Sequence, residues 1–270
     1  KIKPSKTDRY IVVGDLHGCF ETLMRIFNTT TETTTPIGFP GDIQNGKRNV
    51  FIFNGDLIDR GASGYQVIFA LAMFTLVVPE CIYINRGNHE SEQFGLQLNS
   101  DTAFMFMEEM KYKFPSISSD IYRPAIKKLF CSLQICVSID QTLIVHGGVP
   151  PQPFLLSDLQ NIQPTRFETP DFPEKNALPW HHLLWSYDRK ANMSAFMRQN
   201  GLRTIICSHT ATAFHNITVI MPADVKSDNY QIISVARGES TFLELKKFFE
   251  EHNELDLLRY NVVEVFSSPT

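Results

Sequence analysis

The sequence lacks the features that would place the protein in a membrane or outside the cell. Its 270 residues contain no apolar run long enough to span a bilayer, and the first ten, KIKPSKTDRY, are too polar for a signal peptide. The five cysteines are an odd number without CxxC spacing, so we interpret them as reduced thiols, mostly in the core. We therefore expect a cytoplasmic or otherwise intracellular protein without a membrane span.

The sequence also has little net charge. A formal charge of -4, with 43% hydrophobic and 20% charged residues, gives no electrostatic reason to expect nucleic acid as a partner. The length suits one large α/β domain, and we predict a single domain over residues 1–270. Because the sequence starts at Lys1 and not at Met, we also expect a flanking regulatory domain, and a regulatory subunit is a further candidate partner.

Short apolar runs alternate with stretches of helical periodicity. The first kind predicts buried strands, at 10–13, 49–53, 81–85, 142–145 and 203–207, and the second predicts amphipathic helices, at 20–27, 64–74 and 101–114. The Thr-rich segment 29–46 is predicted to be an exposed loop, and the Pro-rich segment 149–180 is predicted to form a surface rim. This alternation indicates a layered α/β fold.

Each of the five strand-like runs is followed by side chains that can bind a metal ion: Asp15, His17, Asp56, Asn88, His146 and His209. Ligands of open α/β sheets bind at the carboxyl ends of the strands, so we expect these side chains to converge. Oxygen and nitrogen donors without thiolates suit Mn, Fe or Zn. Six ligands are too many for one tetrahedral ion, and we predict two divalent ions bridged by Asp56.

The neighbouring residues supply the other parts of a hydrolase. Two divalent ions against two carboxylates, Asp15 and Asp56, leave a positive site that would attract phosphate, and a metal-activated hydroxide would be the nucleophile. Arg60 offers a planar fork for phosphate oxygens. His89 is placed to protonate the leaving oxygen, with Asp59 orienting its imidazole.

Four motifs in this order, GDLHG, GDLIDRG, RGNHE and HGG, resemble the catalytic domain of the phosphoprotein phosphatase (PPP) family of metal-dependent serine/threonine phosphatases. The resemblance runs from about Tyr10 to about Thr210, and FIFNGDLIDRG is similar to the protein phosphatase 5 and EF-hand phosphatase branch. It implies a metallophosphoesterase-type sandwich of mixed β-sheets flanked by α-helices, acting on phosphoprotein substrates with Mn as the favoured metal in vitro.

The resemblance also implies roles for individual residues. One metal would be held by Asp15, His17 and Asp56, and the other by Asp56, Asn88, His146 and His209. Arg60 and Asn88 would bind the substrate phosphate, and His89 with Asp59 would act as the general acid.

The C-terminal third departs from the family pattern. LWSYD stands where the family has LWSDP, and the segment that carries a second phosphate-binding arginine in the family is shortened, which leaves Arg189 as a candidate. SVARG stands nearest to the family's SAPNY loop, and its Arg237 is the other candidate. Loss of one such contact would slow catalysis by about 10²–10³-fold or alter the substrate range.

Three alternatives remain open at the level of sequence. The first is a dinucleoside-polyphosphate hydrolase, which RGNHE and HGG disfavour; the second is a phosphotyrosine-directed phosphatase with the same centre. The third is a phosphoprotein-binding module with little or no turnover. We interpret Arg86 and Glu90 as braces of the loop around Asn88, and His181 and His182 as structural residues.

Overall fold

In a computed structural model of the chain, the described residues are 1–28, 37–98, 105–161, 178–186, 193–209, 231–235 and 261–264. Within them the strands are β1 (Asp8–Val13), β2 (Ile43–Gln44), β3 (Lys47–Asn54), β4 (Ile82–Asn85), β5 (Cys136–Ile139), β6 (Thr142–Val145), β7 (Thr204–Cys207), β8 (Gln231–Val235) and β9 (Asn261–Glu264). The α-helices are α1 (Phe20–Asn28), α2 (Gly64–Val77), α3 (Phe106–Lys113), α4 (Ser119–Ser132), α5 (Pro179–Trp185) and α6 (Met193–Gln199). No helix in this part of the chain is long and apolar enough to cross a membrane.

The strands form two sheets. In the first sheet β1 lies between β3 and β8, parallel to both, and the end of β3 pairs in parallel with β4. In the second sheet the order is β5-β6-β7-β9, with β5 antiparallel to β6 and the other pairs parallel. The carboxyl ends of β1, β3 and β4 in one sheet, and of β6 and β7 in the other, carry the segments with the predicted ligands.

The alternation of side chains along the strands builds three apolar layers. One layer lies between the two sheets and consists of buried residues from both: Tyr10, Val12, Val50, Ile52, Val137, Ile139, Ile144 and Ile206. The opposite face of the first sheet packs on α1 to α4, and that of the second sheet packs on α5 and α6. Because strands buried on both faces need apolar residues throughout, this arrangement explains the continuous apolar runs of the sequence.

The sequence-based elements are largely confirmed. Each predicted strand is present within one residue of its predicted ends, except that β1 and β3 begin two residues earlier, and all three predicted helices are found. The third begins at Phe106, and residues 101–104 lie outside the described part. The mixed sheets with flanking helices confirm the predicted fold class.

Two predictions about connecting segments were wrong in part. Within the predicted loop 29–46, residues 29–36 lie outside the described part, but β2 pairs with the start of β3 through a turn at Asn45 and Gly46, with φ of 52° and 74°. An Asn-Gly pair is the usual signal for such a hairpin. The segment 149–180 is not only a rim, because its ends bury Val149, Phe154 and Trp180 in the core; residues 162–177 are outside the described part.

Candidate metal centre

The six predicted ligand residues lie together at the carboxyl ends of the strands. Two groups of metal-binding atoms form here, each within 4.8 Å: His17, Asp56 and His89 in one, and Asp56, His146 and His209 in the other. Asp56 belongs to both groups. Asp15 lies between them, with its oxygens 3.8 Å from Nε2 of His17 and 3.7 Å from Nδ1 of His146.

The backbone around these residues adopts an unusual conformation. Among the described residues, seven other than glycine have positive φ, and five of these belong to the site: His17 (42°), Asp56 (51°), Asp59 (65°), Arg60 (67°) and His209 (73°). Left-handed backbone is unfavourable for residues with a Cβ, at a cost of order 1–3 kcal/mol each. Such strain concentrates at functional sites, where surrounding contacts hold it in place.

Glu90 provides the contacts that hold Asp56. Its fully buried carboxylate accepts hydrogen bonds from the backbone N–H groups of Asp56 (2.9 Å), Leu57 (2.8 Å) and Gly87 (2.8 Å). Arg86 donates from Nε to the Glu90 carbonyl oxygen at 2.9 Å. Both contacts agree with the interpretation of Arg86 and Glu90 as braces of this loop.

Two histidines are oriented by carbonyl oxygens. Nδ1 of His17 lies 3.0 Å from the Ile58 oxygen, and Nδ1 of His146 lies 2.7 Å from the Asn54 oxygen. Since a carbonyl oxygen only accepts, Nδ1 carries a proton in both rings, and in the neutral form of each ring Nε2 is the electron-pair donor. Nε2 of each ring faces Asp56, at 3.7 Å for His17 and 3.3 Å for His146. Histidines that bind metals usually have their other ring nitrogen hydrogen-bonded to such a carbonyl oxygen or to a carboxylate.

Two observations indicate that these residues are suited to bind a cation. The first is the Asn88 amide, whose oxygen lies 3.1 Å from Nε2 of His146. The same position is 3.2 Å from both Asp56 oxygens and 2.9 Å from Nδ1 of His209. These are the distances that the Asn88 nitrogen would have if the amide were rotated by 180°. Electron-pair donors therefore converge here, as the ligands of a divalent cation do.

The second observation is the burial of the carboxylates. Asp15 is fully buried, and burial raises its pKa to about 7, with the charge of Asp56 adding to the rise and the charge of His146 opposing it. Oδ2 of Asp15 has no hydrogen-bond partner among the described residues. Burial also acts to raise the pKa of Asp56, but the charges of the neighbouring histidines lower it more, so that it lies well below the usual range. Bound cations would stabilise both charges.

The proposed proton donor, His89, belongs to the first group of metal-binding atoms, and the proposed phosphate ligand, Arg60, lies beside it. Nδ1 of His89 is 2.7 Å from Oδ2 of Asp59, whose other oxygen accepts from the backbone N–H of Phe106 at 2.7 Å. Nε2 of His89 lies 3.4 Å from the guanidinium of Arg60, which is exposed. Burial lowers the pKa of His89, but the charge of Asp56 and the hydrogen bond and charge of Asp59 raise it more.

Aromatic rings that the sequence analysis did not select enclose the site. His89 contacts Phe94 (4.9 Å between centroids), Phe94 contacts Trp185 (5.3 Å), and Trp185 contacts His209 (6.2 Å). Trp185 stands in LWSYD, one of the segments that depart from the family pattern. Phe94 carries no sequence signal of its own, because its role follows from contacts made across the fold.

The remaining predictions fall partly outside the described residues. Arg189 and Arg237, the two candidates for a second phosphate arginine, both lie there. His181 and His182 lie on α5, away from both groups of metal-binding atoms. Nδ1 of His181 accepts a hydrogen bond from the Leu178 backbone, and burial, with the charges of His182 and Arg86, lowers its pKa to about 4.

Comparison with known proteins gives a family match over most of the chain. The family model described as calcineurin-like phosphoesterase matches residues 9–213. Serine/threonine-protein phosphatase 5 of Homo sapiens is 28% identical over 255 residues, which cover 88% of this chain and 43% of the relative. Serine/threonine-protein phosphatase T of Saccharomyces cerevisiae is 29% identical over 216 residues, which cover 73% and 37%. The chain thus spans less than half the length of these curated relatives.

Solved structures share the fold. A Saccharomyces cerevisiae protein serine/threonine phosphatase with similarity to human phosphatase PP5 aligns with a TM-score of 0.60 and 24% identity, covering 86% of this chain and 72% of that one. A cold-active protein-tyrosine phosphatase of a psychrophilic Shewanella species aligns with a TM-score of 0.53 and 13% identity, covering 84% and 72%. At these identities the two structures establish the architecture alone.

Proposed function

Because this chain belongs to the calcineurin-like phosphoesterase family, we propose that it hydrolyses phosphate monoesters on phosphoproteins as a metal-dependent serine/threonine phosphatase. The observation that carries the proposal is the convergence on Asp56 of the two overlapping groups, one of which includes His89, with Asp59 and Arg60 in contact with the His89 ring. The relatives named above are serine/threonine phosphatases, which favours phosphoproteins over other phosphate esters as substrates.

The residues proposed to hold the metals divide between two positions. Asp15 and His17 with Asp56 would hold one divalent ion, and Asn88, His146 and His209 with Asp56 would hold the other. Two such ions supply Lewis acidity, which lowers the pKa of water and neutralises phosphate charge. Manganese is the ion of choice for assays, and iron and zinc suit the same donor atoms.

His89 is proposed as the general acid. Because Asp59 fixes Nδ1, Nε2 is the nitrogen that faces the open site and can donate a proton to the leaving serine or threonine oxygen. Against the effect of burial, the charge of Asp56 and the hydrogen bond and charge of Asp59 raise the pKa of His89, which favours the protonated ring that a general acid requires. The position of Arg60 beside Nε2 supports its role as the phosphate ligand, because the same substrate would meet both groups.

Phosphate release from matched phosphothreonine and phosphotyrosine peptides tests the proposal. With added Mn²⁺, we expect the wild-type protein to favour phosphothreonine and the Asp56→Asn variant to lose at least about 10²-fold in rate, because the shared ligand has lost its charge. Glu108→Gln, an exchange on the surface of α3, is the matched control and should retain activity.

Other outcomes point to the alternatives. Faster release from phosphotyrosine would assign a phosphotyrosine phosphatase, and faster turnover of diadenosine tetraphosphate would assign a dinucleoside-polyphosphate hydrolase. Phosphopeptide binding without turnover, in protein confirmed to hold metal, would contradict the proposed activity and indicate a binding module. A regulatory domain or subunit stays a prediction.

A further inference from the structure

A layer of buried polar side chains joins the two sheets directly below the metal-binding groups. Asn54 and Asn85 are the last residues of β3 and β4 and lie opposite each other in the parallel register. Both are fully buried, as is Ser208 after β7. They continue the layer between the sheets, which is otherwise built from aliphatic side chains and Tyr10.

The hydrogen bonds of this layer run from the first sheet to the second. Nδ2 of Asn54 donates to the Val145 carbonyl oxygen at 2.9 Å and lies 2.8 Å from Oγ of Ser208. Nδ2 of Asn85 donates to Oδ1 of Asn54 at 2.8 Å and to the Ile144 carbonyl oxygen at 3.0 Å. Asn85 therefore fixes which way the Asn54 amide faces, so that its nitrogen points at the second sheet.

The two residues to which the Asn54 amide nitrogen is bonded each precede a proposed metal ligand. Val145 precedes His146, Ser208 precedes His209, and Asn54 itself lies two residues before Asp56. The Asn54 carbonyl oxygen also accepts from Nδ1 of His146, and the Ser208 N–H donates to the His146 carbonyl oxygen at 2.8 Å. Asn54 is thus hydrogen-bonded to His146 itself and to the residues that precede His146 and His209, and it lies on the strand that leads to Asp56.

The layer leaves one of its own buried polar atoms unsatisfied. Oδ1 of Asn85 is buried without a hydrogen-bond partner among the described residues, and an unsatisfied buried amide oxygen costs about 1–3 kcal/mol. The two amide nitrogens, in contrast, both point at acceptors, and three of these acceptors belong to the second sheet or follow it. The layer therefore joins the two sheets at the expense of one unsatisfied oxygen.

We propose that Asn54, oriented by Asn85, is a positioning residue that sets the affinity of the metal position formed by Asp56, His146 and His209. The inference rests on the proposed function, since it assumes that two metals bind. The ligands of this position come from different sheets, so its geometry depends on the distance and rotation between the sheets. The position formed by Asp15, His17 and Asp56 takes all its ligands from the first sheet and needs no such link.

Mn²⁺ titration calorimetry on Asn54→Leu tests the proposal. We expect one of the two Mn²⁺ affinities to fall by about 10–100-fold and the other to stay within about twofold, because a residue that orients metal ligands acts on the ligands it supports. The electron paramagnetic resonance spectrum should change from that of a coupled Mn²⁺ pair to that of one isolated ion. Ser208→Ala, a milder change that removes one hydrogen bond, should weaken the same step by about threefold.

Asn49→Leu is the matched control. Asn49 is also fully buried on β3, but it lies at the other end of the strand and donates to the carbonyl oxygens of Ile37 and Phe39. Its loss should lower the unfolding temperature and leave both Mn²⁺ affinities unchanged.

Two results would overturn the proposal. Asn54→Leu and Ser208→Ala that bind both ions as the wild type does, or that weaken both ions equally, would reduce Asn54 to a structural residue while leaving the proposed function intact. A wild-type protein that binds no Mn²⁺ would instead overturn the proposed function together with this inference.

Discussion

Single residues at the site adopt conformations that are unfavourable by themselves and are stabilised by their neighbours. Asp56 combines left-handed backbone with complete burial of its carboxylate. Glu90 offsets the backbone cost through three hydrogen bonds, and the surrounding histidines offset the cost of the buried charge. A residue that binds no metal therefore determines the direction of the residue proposed to bind both.

Another single residue, His181, leads to a prediction of how the free energy of unfolding depends on pH. Its pKa in the folded protein is about 4, below the usual 6.5, so the folded state disfavours its protonated form. The unfolded chain therefore binds this proton more readily. The contribution of the neutral His181 ring to stability is fully present above pH 6.5 and is lost as the pH falls towards 4. We expect the wild-type protein to lose about 1 kcal/mol more than His181→Gln between pH 7 and pH 5.

Urea unfolding at both pH values, with a chelator present, measures this difference. Glutamine keeps an oxygen that can accept from the Leu178 N–H, so the substitution removes the titration and retains the hydrogen bond. His182→Gln on the same helix is the control; its ring is half-buried and should give a smaller effect. Parallel pH profiles for the wild type and His181→Gln would contradict the assignment.

At the scale of elements, helices depend on partners that are distant in sequence. α2 carries no charged residue from Gly64 to Val77, and the side chain of its N-cap residue, Ser63, makes no capping hydrogen bond. Glu109 of α3 supplies the cap, since its carboxylate accepts from the backbone N–H groups of Gly64 (2.9 Å) and Tyr65 (3.1 Å). Negative charge at a helix N-terminus is stabilising, so α3 determines where α2 begins.

Glu109→Gln should therefore destabilise the fold by about 2 kcal/mol, because the amide loses the charge and one acceptor for the two N–H groups. It also loses the ion pair with Lys113, whose Nζ lies 2.8 Å from Oε1 of Glu109. Glu108→Gln is the control, with a carboxylate 3.8 Å from Lys111 near the surface and an expected change below about 0.5 kcal/mol. Equal free energies of unfolding for the two variants would contradict the role of Glu109 as a cap.

At the scale of the whole molecule, the candidate centre draws on both sheets. Asp56 follows β3 of the first sheet, and His146 and His209 follow β6 and β7 of the second. The unfolded chain does not hold these groups together, so a metal that binds them stabilises the folded state by mass action. Metal binding and the association of the two sheets are therefore coupled.

Removal of metal should then lower the unfolding temperature. Mn²⁺ at 100 times its dissociation constant contributes about 2.7 kcal/mol for each site, which corresponds to a shift of about 5 °C or more for a chain of this size. Thermal unfolding with Mn²⁺ and with a chelator measures the shift. Asp56→Asn should abolish most of it, and a wild-type unfolding temperature that does not respond to Mn²⁺ would contradict the proposed centre.

The sequence by itself determined five of the nine described strands, the apolar faces of three of the six described α-helices, and the kinds of donor atoms at the strand ends. These are local properties: periodicity follows from the geometry of a strand or helix, and GDLHG, GDLIDRG, RGNHE and HGG each keep their residues within one turn. The layered fold then brought the motifs together, because the carboxyl ends of parallel strands share an edge.

The tertiary structure alone decided which distant groups support the site. The bond from Asn54 to Ser208 joins residues 154 positions apart, and the cap of Glu109 on Gly64 spans 45 positions. Phe94 and Trp185 meet beside His209 for the same reason. A polar or aromatic residue in a sequence does not specify its partner, because that partner is fixed by how the two sheets and their helices pack against each other.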